Sequence, residues 1–87
     1  MAYRIELETR ARKELLDLPK ETVGRLASVL DDLESNPRPP GAKKLAGVEG
    51  YRIRKGDYRI LYTIDDSKHL VRVYRIGHRR EVYRKLH

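Results

Sequence analysis

The 87 residues carry 20 lysines and arginines against 13 aspartates and glutamates, a formal net charge of +7, with no cysteine. Disulfide staples and thiol chemistry are excluded, and a chain this short has room for one modest core, read as a single domain over residues 1–87. No apolar run approaches the roughly 20 residues of a membrane span, and the first residues enter an alternating pattern rather than a secretory signal, so a cytoplasmic protein is expected.

Residues 2–8 alternate weakly, with Tyr3, Ile5 and Leu7 against Arg4, Glu6 and Glu8, and predict a first strand. Thr9 is placed to cap the helix that follows, in which Ala11, Leu15 and Leu18 recur at helical spacing. Pro19 breaks that helix. A second one is expected over residues 21–34, with Val23, Leu26, Ala27, Leu30 and Leu33 on one stripe. The two should form a helical hairpin whose apolar stripes cover one face of a sheet.

The run Asn36-Pro37-Arg38-Pro39-Pro40-Gly41 stops the helix, and a glycine-punctuated segment then leads to residue 51. Residues 51–62 read as two strictly alternating strands joined by a two-residue Gly56-Asp57 turn. With that turn, Arg54 faces Arg59, Ile53 faces Ile60 and Arg52 faces Leu61. Tyr51, Ile53, Ile60 and Tyr62 then share one face, while Arg52, Arg54 and Arg59 gather on the other. Like charges opposite one another destabilise a sheet, so three clustered guanidinium groups point to an anion that belongs there.

After the polar turn at residues 65–68, residues 69–76 are rich in β-formers and predict another strand. Its register stays open. One pairing sends Val71 and Val73 to the helix-covered face; a one-residue slip sends Leu70, Tyr74 and Ile76 there instead. Whether Arg72 or Arg75 joins the basic face is equally open. Gly77 is read as the strand end, with a helical turn around residues 81–86. The order is β-α-α-β-β-β: an α+β domain with a helical hairpin on a mostly antiparallel four-stranded sheet whose second face is uncovered.

Charge is unevenly spread. Residues 1–42 hold 7 basic and 8 acidic side chains, and residues 43–87 hold 13 and 5, so the second half carries the whole excess. That is the electrostatic footprint of a polyanion surface. Other chemistries find little here. His69, His78 and His87 are scattered, so no metal site and no cofactor is expected, and Gly47-Val48-Glu49-Gly50 matches no phosphate-cradling loop. Arginine cannot act as a base, but it grips phosphate bidentately and stabilises charge growing on a phosphoryl oxygen. Cleavage of a phosphodiester without metal would use the RNA 2′-hydroxyl as internal nucleophile, with protein groups aligning it and assisting two proton transfers. Arg52, Arg54, Arg59 and Arg79 are the electrostatic candidates, and His78 and Tyr83 the candidate proton carriers. RNA binding without cleavage satisfies the same residues.

Three segments carry a resemblance: residues 36–45, residues 51–62 with their Gly56-Asp57 turn, and Ile76-Gly77-His78-Arg79-Arg80-Glu81-Val82-Tyr83. Together they resemble the RelE branch of the RelE/ParE toxin superfamily, over essentially the whole chain. The resemblance implies a microbial-ribonuclease-like α+β fold. It also implies a type II toxin that enters the ribosomal A site, cleaves messenger RNA there and is held inactive by a cognate antitoxin. On this pattern Arg52, Arg54, Arg59, Arg79 and Tyr83 take the family's catalytic positions, with Lys43, Lys44, Lys55 and Arg80 as further RNA-binding cations. One departure matters. The best-studied RelE pattern has lysines where this chain has Arg52 and Arg54, and a lysine in a positive site can serve as general acid where arginine cannot. Either the acid role moves, with His78 the nearest candidate, or cleavage leans on electrostatics alone. The antitoxin is expected to be an acidic, partly extended chain with a helix over part of the basic face. A ParE-like inhibitor of DNA gyrase and an inactive nucleic-acid-binding module of the same fold are the alternatives.

Overall fold

A computed structural model describes residues 2–78, as β1 (Arg4–Leu7), α1 (Thr9–Leu16), α2 (Lys20–Ser35), β2 (Lys43–Lys44), β3 (Tyr51–Lys55), β4 (Tyr58–Asp65) and β5 (Leu70–His78). The expected helical turn near residue 81 lies outside the described residues. The strands form one sheet in the order β1-β5-β4-β3-β2, antiparallel throughout except for the parallel pair of β1 with β5. The sheet thus has five strands rather than four. The addition is β2, two rungs long, in which Lys43 pairs with Arg52 and Lys44 with Tyr51. Two lysines show no alternation that a pattern could detect.

The helices cover one face as their stripes require. Ala11 and Leu15 of α1 and Leu26, Val29, Leu30 and Leu33 of α2 pack on Ile60, Tyr62, Val71, Val73 and Ile76. The helix starts differ from expectation. Glu8, not Thr9, is the residue before α1, and its backbone N–H donates to the Val73 carbonyl at 2.9 Å, so the chain is tethered to β5 as it turns into the helix. Pro19 occupies the corresponding place before α2, where its lack of an N–H costs nothing.

The β3–β4 register is the one alternation demands, from Tyr51 opposite Tyr62 to Lys55 opposite Tyr58. Gly56 at the turn has φ +60°, and Asp57 is not left-handed, the pattern of a type II′ turn. The β5 register resolves through a bulge at Leu61/Tyr62: Val73 pairs with Tyr62 and Arg75 with Leu61, leaving Tyr74 as the additional residue. The bulge rephases the strand. Val71 and Val73 face the helices before it, and Ile76 faces them after it, so parts of both open alternatives are realised in one strand. The strand also runs through Gly77 to His78, further than expected.

The sheet face away from the helices is not bare. Leu61 is fully buried there. Gly50 is buried too, with φ +126°, and a Cβ on it would lie 2.8 Å from the Tyr62 carbonyl oxygen and 3.3 Å from the Tyr74 hydroxyl. Only glycine fits that approach.

Candidate nucleic-acid interface

The β3–β4–β5 pairings order the basic side chains into two rows on the face opposite the helices. One row runs Lys43, Arg52, Leu61 across β2, β3 and β4; the next runs Arg54, Arg59, Gly77 across β3, β4 and β5. Directly paired residues hold their Cβ atoms about 5 Å apart. Lys43, Arg52, Arg54 and Arg59 therefore share the face that holds the buried Leu61, and Gly77 is the β5 partner of Arg59. Arg59 is only 8% exposed, while Arg54 at the hairpin end is open to solvent. Nη1 of Arg52 has negligible solvent access and, among the described residues, no hydrogen-bond acceptor. Desolvated guanidinium groups held side by side suit a phosphodiester, whose oxygens satisfy several N–H donors at once.

The other predicted residues divide. Lys43 joins the arginine face through its pairing with Arg52. Lys44, opposite Tyr51, and Lys55, opposite Tyr58, project on the helix side, so the structure does not bring these two RNA-binding candidates to the arginines. Lys55 instead lines a cavity with Arg25, Thr22 and Tyr58. His78, the candidate proton carrier, is turned by its register away from the arginine face. It pairs with Tyr58, their rings meet edge to face at 6.1 Å, and both line a helix-side cavity with Glu14 and Asp17. The reason is the two-residue period of a strand: if Gly77 is opposite Arg59, His78 must face the other way. Arg79, Arg80 and Tyr83 lie outside the described residues. Arg72 and Arg75 both stay out of the cluster. Arg72 is engaged by Glu6 at 3.4 Å, and Arg75, 4% exposed, is gripped by both carboxylate oxygens of Glu14 at 3.1 and 3.3 Å.

Against known proteins, the model of the ParE toxin of the parDE type II toxin–antitoxin system matches residues 5–83. Toxin RelG of Mycobacterium tuberculosis is 34% identical over 98% of this chain and 100% of its own length. This chain is a RelE-type toxin of the type II toxin–antitoxin systems. The toxin's fold agrees with the M. tuberculosis RelBE2 toxin–antitoxin complex at a TM-score of 0.82, with 30% identity over 91% of this chain and 100% of that one. An E. coli RelE with two arginines replaced by alanine, in the free state, gives a TM-score of 0.81 and 31% identity over 98% of this toxin and 94% of that chain.

Sequence reading missed the network that ties the proline segment of this toxin to its sheet. Arg38 donates to Asp66 through Nη1 and Nη2, at 3.2 and 2.9 Å, and through Nε to the Tyr51 hydroxyl at 3.1 Å. The Tyr3 hydroxyl donates to the same Asp66 carboxylate at 2.6 Å. These hydrogen bonds, the Arg38 pair first, hold the Asp66 carboxyl at about 2. Below them the Tyr62 hydroxyl, fully buried, donates to the Pro37 carbonyl at 2.8 Å, and burial pushes that phenol up to about 12. Twenty-eight residues separate Arg38 from Asp66, and no local signal joins them. Both turn aspartates are engaged: Asp66 takes Arg38 and Tyr3, and Asp65 accepts from the Ser67 hydroxyl and the Lys68 N–H at 2.7 and 3.1 Å.

Proposed function

We propose that this toxin cleaves messenger RNA in the ribosomal A site without a metal, by attack of the RNA 2′-hydroxyl on the adjacent phosphate, and so arrests translation. The observation that carries the reading is the cluster of Arg52, Arg54 and Arg59 at paired positions on one sheet face, with Arg59 almost buried. A fixed, partly desolvated set of guanidinium groups stabilises a dianionic phosphorane more than the monoanionic phosphodiester, which is the requirement for lowering the barrier. The attack forms a 2′,3′-cyclic phosphate and expels the 5′-oxygen, and the arginines stay charged throughout. Proton transfer therefore falls to other groups, and with His78 turned to the helix side the family position at Tyr83 carries it, alongside Arg79 for charge. The complexes of relatives with RelB support a cognate antitoxin as the resting partner of this chain. An acidic antitoxin segment would neutralise the arginine face.

The match to a ParE model keeps gyrase poisoning as a second reading. Expression of the toxin in bacteria, with labelled amino-acid and thymidine incorporation followed in parallel, separates the two. The mRNA reading expects translation to stop first and message to be cut within codons, and expects Arg59→Ala to abolish both effects. Replication stopping first, with intact message, would overturn it in favour of gyrase. Loss of neither translation nor replication would leave an inactive binding module.

A further inference from the structure

Lys43 reaches the arginine face from a strand of only two residues. Two ladder rungs at a sheet edge are a weak hold, since isolated short pairings are marginal in water. Yet the segment entering that strand is anchored along its length. Pro37 is held from below by the Tyr62 hydroxyl, Arg38 by Asp66 and Tyr51, and the Ala42 N–H donates to the Pro39 carbonyl at 3.0 Å. Pro37, Pro39 and Pro40 narrow the remaining backbone freedom. On the far side, the Leu45 N–H donates to the Gly50 carbonyl at 2.9 Å. The anchors lie toward the helix side, where Tyr51 and Tyr62 stack at 5.9 Å, whereas Lys43 lies on the opposite face beside Arg52. Arg38, tied to Asp66 and Tyr51, thus lies five residues before Lys43 and anchors the segment that leads to it.

We propose that Arg38 and Asp66 are positioning residues for Lys43, which they set beside Arg52 as the fourth phosphate-binding cation of the arginine face. Arg38 is not itself a phosphate ligand: its guanidinium is taken up by Asp66 and Tyr51. The inference rests on the mRNA-cleavage reading for what the face binds, and it predicts a coupling that a general loss of stability does not produce.

The test is the salt dependence of binding to a 2′-O-methyl oligoribonucleotide, which offers phosphates and cannot be cut by 2′-hydroxyl attack. Removing one phosphate-binding cation lowers the slope of log K against log salt by about 0.7 on a single strand. Lys43→Ala is expected to lower it by that amount. Arg38→Ala and Asp66→Asn are each expected to lower it similarly, although they change the net charge in opposite directions. Combining either with Lys43→Ala is expected to add nothing. Asp66→Asn keeps an acceptor for Tyr3 and guards against unfolding of the other variant, with circular dichroism reporting the fold of each. Slopes that move in opposite directions, follow net charge alone or stay at the wild-type value would overturn the proposal. Cleavage by the wild type is scored separately on ribosome-bound message. A toxin that binds with these slopes but cuts nothing removes the cleavage reading and leaves the positioning of Lys43 standing.

Discussion

Replacing Tyr62 by phenylalanine removes one oxygen atom from the centre of the molecule and tests how the proline segment is fixed. The hydroxyl is fully buried and donates at 2.8 Å to the Pro37 carbonyl, on a residue that is itself buried. Deleting the donor leaves that carbonyl without its partner, a loss of about 1–3 kcal/mol. For a chain of this size that corresponds to a fall in Tm of roughly 4–24 °C. The ring remains, so its stack on Tyr51 persists and no cavity beyond one oxygen opens. The alkaline limb supplies a second readout. The phenol titrates at about 12 in the folded chain and near 10 when unfolded. Its contribution is complete below about pH 10 and is lost as pH rises toward the folded value, roughly 1 kcal/mol by pH 11. Tyr62→Phe has no such group to titrate. Urea unfolding at pH 7 and at pH 11 should therefore show the wild type ahead at neutral pH and the gap narrowed by roughly 1 kcal/mol at the higher one. A variant with wild-type stability at pH 7, or a gap that widens toward pH 11, would refute the role of this hydrogen bond.

Glu14→Ala strips the partner from Arg75, whose guanidinium is 4% exposed; an uncompensated buried charge costs about 3–5 kcal/mol, and chemical denaturation should register it, whereas the exposed pair of Arg4 with Glu6 should be close to neutral when broken. Gly50→Ala puts a Cβ 2.8 Å from a backbone oxygen at φ +126°, so a loss of at least about 1–3 kcal/mol is expected in the same assay. The Asp66 carboxyl, held at about 2, binds its proton later than in the unfolded chain, so its contribution is present above about pH 4 and is lost as pH falls toward 2. Asp66→Asn should accordingly flatten the acid limb of the stability profile and leave the limb above pH 5 parallel to the wild type; an unchanged acid limb would count against the Arg38 pair.

The hairpin of β3 and β4 was fully legible because alternation and a Gly-Asp turn specify register together, and every predicted pair is observed. The helices were legible from their stripes, although Val29, buried in α2, escaped notice. What the sequence left open has local causes. A single bulge residue, Tyr74, inverts the phase of β5, which period-two reasoning cannot anticipate. That inversion decides where Ile76, Gly77 and His78 point, and so removes His78 from the arginine face. Lys44 and Lys55 were placed by charge alone, and their cross-strand partners turn them to the helix side. The Arg38–Asp66–Tyr3 network joins three distant parts of the chain, and composition has no means of pairing them. Of the candidate site, the arginines of the hairpin were readable from spacing, while Arg79 and Tyr83 rest on the family pattern.

The central claim is the chemistry at the arginine face, and the ends of the cut message report it directly. Purified toxin is incubated with ribosomes stalled on a defined message, and the fragments are analysed by mass spectrometry. Attack by the 2′-hydroxyl predicts an upstream fragment ending in a 2′,3′-cyclic phosphate or its hydrolysed 3′-phosphate, and a downstream fragment with a 5′-hydroxyl, both absent with Arg59→Ala. A 3′-hydroxyl paired with a 5′-phosphate, or undiminished cutting by Arg59→Ala, would contradict it.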